Sequence, residues 1–428
     1  MKLRFSKFTF SKEWACALAL AMAGSASAQT PLTWDQVKQR FIGANPTLMA
    51  SQVNVDEAKL NEITAFLRPN PDFSFSSDGT QVAPSQGVWQ PFGGTLFTPS
   101  VSYLHERQHK RELRLESARK ATGIAALQEA DQERTLLFNL RNAFVQTLQA
   151  KHLQALAKEE LDYFEKQYGI TQDRYHAGDI AQMDMQRVHL QRVQYESDYQ
   201  TALTNLRTAK ITLLALLDQR TPVDQFDVDG RFDFDQNIDP LEHFHQIALD
   251  QRPDLRAAVA AIEKAEADHR LAVANGSTDP TFGVWFTHNG SFSNPTAVNT
   301  LGASVSIPLR LYDRNQGEKA RTEIDIRHAQ RLKDATQAQV FSDVDSAYFA
   351  LTSAVTLLMP YKTTYLSEAL EIRDKVAFSY QRGGAALLDY LQGQQDYRAV
   401  QQAYVNLIAS YLVAAAQLNM AVGQEVIQ

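Results

Sequence analysis

The chain has 428 residues, a mean hydropathy of −0.33, 21% charged residues and a net charge of −7 at neutral pH. An acidic balance with no basic patch argues against a nucleic-acid partner, and no apolar run beyond the first 28 residues suggests a membrane-spanning helix. The single cysteine, Cys16, offers no disulfide framework and no cysteine metal site.

Residues 1–28 read as a signal peptide. Lys2, Arg4, Lys7 and Lys12 form a basic start, Trp14 to Gly24 is apolar, and Ala26-Ser27-Ala28 fits a cleavage site. The apolar run of about eleven residues falls short of the roughly twenty that a bilayer needs. Removing this segment, with four bases and one acid, leaves a net charge of −10.

From Gln29 onward the chain reads as one unit repeated. The first repeat, 29–219, opens with helix, then strands near 72–78 and 96–105, a very long helix, a tight turn at 175–184 and a returning helix. A linker spans 220–240, where alternating Phe226, Val228, Phe232 and Phe234 read as a short strand pair. The second repeat, 241–424, runs through strands near 281–288 and 301–309 to a turn at 380–389, and 425–428 form a tail.

Sequence matches carry the duplication. Asn45-Pro46 corresponds to Arg252-Pro253 at an offset of 207. Asn142-Ala143-Phe144-Val145 corresponds to Ser346-Ala347-Tyr348-Phe349 at 204. Tyr175, Gly178, Asp184 and Tyr199 correspond to Tyr380, Gly383, Asp389 and Tyr404 at 205. Such a period is too long for a solenoid unit, so a half-domain is duplicated.

No proline occurs between Pro99 and Pro222. Leu137, Leu140, Phe144 and Leu148, echoed by Phe341, Val344, Tyr348 and Leu351, give a narrow coiled-coil seam. A helix over 106–175 would be about 105 Å long at 1.5 Å per residue. Pro360 is expected to kink or break the second long helix. The strands alternate: Phe73, Phe75, Val101 and Tyr103, then Phe282, Val284 and Phe286, then Leu301, Ala303, Val305 and Ile307. One face therefore meets an apolar medium and the other water, as in transmembrane strands. The loops 79–96 and 289–300, rich in Gly, Pro, Ser and Asn, read as surface excursions. Four strands cannot close a barrel, since the smallest have eight. Oligomerisation is expected, and a trimer would supply twelve strands.

At Ser306-Ile307-Pro308-Leu309-Arg310-Leu311-Tyr312-Asp313-Arg314-Asn315-Gln316-Gly317 and at Asp250-Gln251-Arg252-Pro253-Asp254-Leu255, the chain resembles the TolC family of outer-membrane factors, over essentially its whole mature length. The first stretch looks like the strand-to-helix junction of the branch serving heavy-metal and related cation pumps. The resemblance implies a mainly α protein with a small β part: a homotrimer whose twelve-stranded barrel sits in outer-membrane lipid and continues into a periplasmic α-helical tunnel. The tunnel would dock on a periplasmic adaptor and an inner-membrane RND pump and pass cargo, metal cations first, without chemistry. Organic toxicants or drugs and type I protein secretion are the alternatives within that reading. A periplasmic adaptor or a coiled-coil scaffold would share the helices but not the four strands.

The two turns would be the periplasmic tips. Gly178 and Gly383 suit a left-handed helix end, and Asp179 can cap the helix that follows. Asp184 and Asp389 fall near helix N-termini, whose dipoles favour carboxylates, so a purely local role explains them. The resemblance instead implies that these acids line a closed entrance, where three chains would place up to six carboxylates around one axis. Tyr380 matches a tyrosine of the family's latch. Gln392 stands where a second acid is usual, and Ala385 where an arginine is, with Arg382 or Arg174 as substitutes. Gly178, Asp179, Gly383 and Gly384 are the expected adaptor contacts. His243 and His245 point to different helix faces. No ligand spacing, catalytic triad or phosphate loop appears, so no metal site, no cofactor and no enzymatic activity are expected.

Overall fold

A computed structural model describes residues 31–289 and 298–427; the signal segment and the heart of the 289–300 loop lie outside the described residues. Six elements form the first half: α1 (Trp34–Ala44), α2 (Pro46–Phe66), β1 (Asp72–Asp78), β2 (Leu96–Leu104), α3 (Lys110–His176) and α4 (Gln182–Leu216). The order recurs as α5 (Leu241–Gln251), α6 (Pro253–Asn275), β3 (Thr281–Asn289), β4 (Asn299–Ser306), α7 (Gln316–Pro360), α8 (Leu366–Gln381) and α9 (Leu387–Val422). The protein is mainly α with a small β part, built on a duplicated helix–strand–strand–long helix–helix unit. It divides into two compact units, one holding residues up to Phe41 with Gln146–Arg231, the other Ile42–Val145 with Phe232–Gln428.

The smaller unit contains the end of α3, the whole of α4 and the first part of the linker. Val37, Phe41, Leu213, Leu217, Phe226 and Val228 are buried. The linker does not form a strand pair here. Val228 makes a single parallel bridge to Leu32, and Val223–Gln225 is a 3₁₀ turn. Lysines take the place of a partner strand: Lys210 Nζ donates to the Phe226 carbonyl at 2.6 Å, and Lys151 Nζ donates to the Val228 carbonyl at 2.8 Å. Both lysines also pair with Asp227, at 3.2 and 2.7 Å. Burial opposes the charge on Asp227, but those hydrogen bonds and charges outweigh it and hold its carboxyl below the usual range.

The larger unit contains the sheet and most of the core. Val340, Val344, Ala347, Leu351, Ala354 and Leu358 on α7 are buried at alternating spacings of four and three. This is the expected 3.5-residue seam, shifted so that Phe341 and Tyr348 flank it, half-buried. It meets Ile408, Tyr411, Leu412 and Leu418 of α9. Helix α9 is long and apolar enough to cross a membrane, yet these buried residues make it a core helix. Pro360 does not break the long helix. One π turn, Tyr361–Tyr365, follows it, and α8 continues directly. The wider turn absorbs the proline, and the Thr363 hydroxyl donates to the Met359 carbonyl at 2.9 Å.

The second helix of each repeat starts on a proline. Asn45 caps α2 by accepting from the Thr47 and Leu48 amides at 3.0 and 3.1 Å. Its counterpart Arg252 caps nothing with its side chain and instead forms a buried ion-pair cluster.

The sheet is antiparallel in the order β1-β2-β3-β4. Its register, Phe73 opposite Val101, Val101 opposite Val284 and Val284 opposite Ala303, collects Phe75, Tyr103, Phe282, Phe286, Leu301 and Val305 on the same face. That face is bare: Phe73 is 71% and Leu301 is 83% exposed. The other face is polar, with Ser74–Ser100 and Thr98–Thr287 hydrogen bonds at 2.7 and 3.1 Å. Trp285, which breaks the sequence alternation, lies on this polar face over Gly302, where a methyl group would collide with its indole.

Candidate functional site: the two helix tips

At the second tip, α8 ends in a Schellman turn. Gly383 adopts φ +77° and its amide donates to the Tyr380 carbonyl at 3.0 Å, while the Gly384 amide donates to the Ser379 carbonyl at 2.9 Å. Ala386 holds the cap position before α9, which makes Asp389 the third helical residue. The Asp389 carboxylate accepts from the Ala386 amide at 3.3 Å, half of a capping box, and remains exposed. Tyr380 stacks on buried Tyr390, with ring centroids 5.0 Å apart and planes 15° from parallel. Gln392 is exposed and donates to Asp396 at 2.7 Å. Arg382 lies over the Phe378 ring, 4.2 Å from its centre.

The first tip repeats this geometry within the smaller unit. Gly178 has φ +83°, its amide donates to the Tyr175 carbonyl at 3.0 Å, and the Asp179 amide donates to the Arg174 carbonyl at 2.9 Å. Asp179 therefore closes the outgoing helix and does not cap the next one. Ala181 holds the cap position of α4, with no side-chain acceptor, because Asp179 lies two residues too early. Asp184 is the third residue of α4, and its amide donates to the Ala181 carbonyl at 3.1 Å. The glycines are required at both tips because a side chain at such a φ is strained.

Both halves of the chain carry one family signature: the profile described as "outer membrane efflux protein" matches residues 37–221 and again 245–424. The chain belongs to the outer membrane efflux protein family. It is an outer-membrane efflux channel, not an enzyme. Among its relatives, the cobalt-zinc-cadmium resistance protein CzcC of Cupriavidus metallidurans is 22% identical over 399 residues, covering 92% of this chain and 90% of CzcC. The pyoverdine export outer membrane protein OpmQ of Pseudomonas aeruginosa is 25% identical over 334 residues, 76% of this chain and 69% of OpmQ. In fold, the chain is similar to CusC, a transmembrane channel, with a TM-score of 0.76 at 16% identity over 93% of this chain and 96% of CusC.

Several tip residues of this efflux protein are not legible as such in its sequence. Tyr390, the stacking partner of Tyr380, is signalled only by its place one residue after Asp389. Gly393 is buried where α9 meets α8, and a methyl group there would make ordinary contact with Val376 at 3.7 Å. Met183 and Leu388, 205 residues apart, are 61% and 69% exposed at equivalent positions. The duplication offset would have paired them. Among the described residues, no group of three His, Asp, Glu or Cys side chains could hold a metal.

Proposed function

We propose that three copies close a twelve-stranded barrel in the outer membrane, continued by a helical tunnel that docks on a periplasmic adaptor and an inner-membrane RND-type pump. The observation that carries this is the sheet. One face is bare and apolar, and the outer edges of β1 and β4 have no strand partner among the described residues. Lipid does not tolerate open strand edges, and four strands are too few to close on themselves. Further copies satisfy both demands.

Metal cations are the proposed cargo. The similarity to CzcC over nine-tenths of both chains supports this. The similarity to OpmQ supports a second reading, an organic cargo. Growth of a deletion strain against zinc, cadmium, cobalt, nickel and copper salts, and separately against dyes, detergents and antibiotics, decides between them. Sensitivity confined to the metals and restored by the intact gene is expected. Sensitivity confined to the organic panel would sink the metal assignment and leave the channel standing.

In the same reading the tips are the periplasmic entrance. Gly178, Asp179, Gly383 and Gly384 form the adaptor contact, together with the exposed Met183 and Leu388. Asp389 and Asp184 make acidic rings that attract cations and repel one another, with Tyr380, Gln392 and Arg382 shaping the closed state. Asp389→Asn is then expected to lower the cation preference of single channels in planar bilayers, most at low ionic strength. Unchanged selectivity would reduce Asp389 to its local role at the start of α9.

A further inference from the structure

The two ends of the sheet differ in charge. At the loop end, Ser76 to Pro99 contains Asp78 and no lysine or arginine, and Thr287 to Thr300 contains no Lys, Arg, Asp or Glu. At the helix end, Leu104–Arg114 carries four Lys and Arg against two Glu, and Ile307–Lys319 three against one Asp and one Glu, a net positive balance within an otherwise acidic chain.

Most carboxylates at that end are already engaged. Asp279 pairs with Lys110 at 2.5 Å, Glu106 with Arg114 at 2.5 Å, Glu112 with Arg111 at 2.9 Å, and Glu318 with Arg321 at 2.8 Å. Arg310 bears electrostatically on Asp279. Arg68, Arg107 and Arg314 are exposed and form no ion pair among the described residues. Two carboxylates there, Asp72 and Asp313, also lack one; Asp313 accepts the Asn315 amide at 2.9 Å. Bare apolar side chains alternate with the bases: Leu67 is 59%, Leu309 80%, Leu311 64% and Tyr312 91% exposed. Leu309, Leu311 and Tyr312 follow in the chain just beyond the end of β4 at Ser306, and Leu67 just precedes β1.

We infer that this strand-to-helix junction is a binding collar for anionic phospholipid, with Arg68, Arg107 and Arg314 holding headgroup phosphates and Leu309, Leu311 and Tyr312 meeting the acyl chains. Unpaired cations beside exposed apolar residues, at one end of a membrane-facing sheet, match a lipid surface and not a soluble anion, which has no use for the apolar part. Each such base near an anionic surface attracts it appreciably, within about a Debye length. The inference rests on the membrane-inserted sheet of the proposed function.

The test is the association of spin-labelled phosphatidylglycerol, relative to spin-labelled phosphatidylcholine, with the full chain reconstituted in phosphatidylcholine vesicles. Phosphatidylglycerol is expected to be preferred, and the R107Q/R314Q double variant should lower the preference by up to about fivefold per arginine. Added salt should erode it, whereas millimolar inorganic phosphate should not compete beyond its ionic strength. Equal association of the two lipids with the wild type, or an unchanged preference in the double variant, would overturn the collar. Cross-linking of the same samples reports the number of copies separately. A preference seen without a trimer would reject the trimeric assembly and keep the collar, and a trimer without preference would do the reverse.

Discussion

Truncating Arg252 to alanine is expected to destabilise the larger unit by about 3–5 kcal/mol, the range for breaking a buried ion pair from one side. The guanidinium is 3% exposed. It pairs with Asp254 at 2.7 Å and with Asp343 at 2.9 Å, and donates to the Ala421 carbonyl at 3.1 Å. One side chain thus joins the start of α6, the middle of α7 and the end of α9. Gly423, at φ +84°, lets the chain end pass close: a methyl group there would sit 3.2 Å from the Arg252 Cα. In the variant, Asp254 keeps the Leu255 amide at 2.9 Å and, as a cation, Arg134 at 3.8 Å, and Asp343 loses its cation. Lysine is a poor substitute because it cannot hold two oxygens of Asp254 with a planar fork. Loss of tryptophan fluorescence on heating the detergent-purified protein measures the effect, and a wild-type midpoint would show that solvent already screens the cluster.

The same cluster sets an acid dependence. Burial works against the charge on Asp254, but the Arg252 hydrogen bond and charge, with that of Arg134, outweigh it and hold the carboxyl below its ordinary 3.8. A depressed folded-state value means that its stabilising contribution is complete above that ordinary value and is lost as pH falls through the lower one. The wild type should therefore lose stability below about pH 4 through this group, and Arg252→Ala should lose correspondingly less.

Local periodicity made much of this architecture legible. Phe282, Val284 and Phe286 alternate because one face of a strand is apolar, and the proline-free run between Pro99 and Pro222 fits long helices. What sequence could not supply was partner identity. Phe226 and Val228 alternate like a strand, but a strand needs a neighbour, and Lys151 and Lys210 take the carbonyls first. The seam of α7 has the right period and keeps Val344 and Leu351, but Val340 and Ala347 are buried where their larger neighbours Phe341 and Tyr348 were expected. Close-packed helices favour the smaller side chain at their contact. The tips were the opposite case. Gly178 and Gly383 announce left-handed turns by residue type alone, but which rings stack there depends on contacts between helices. Asp179 failed as a cap for a reason of counting, since α4 begins two residues later than its position suggested.

Val284→Arg tests which face of the sheet meets lipid. Val284 is 55% exposed, central in β3, and flanked by Val101 and Ala303 on the neighbouring strands. If the bare face lies in hydrocarbon, an arginine at this depth should cost about 2–4 kcal/mol, because the guanidinium must leave water or drag water in. Ser76→Arg is the matched control. Ser76 lies on the opposite face, opposite Thr98 in the register, and is exposed. A water-filled interior hydrates the new charge, so its cost should be near zero. The comparison needs lipid: urea unfolding from vesicles should separate the two variants. In detergent micelles, which deform around a charge, the gap should narrow. The reverse ranking, with Ser76→Arg damaging and Val284→Arg silent, would put the polar face against the membrane. The bare aromatic face would then line the interior, where Phe73, Phe75, Phe282 and Phe286 from each copy would leave an apolar constriction in place of an aqueous exit.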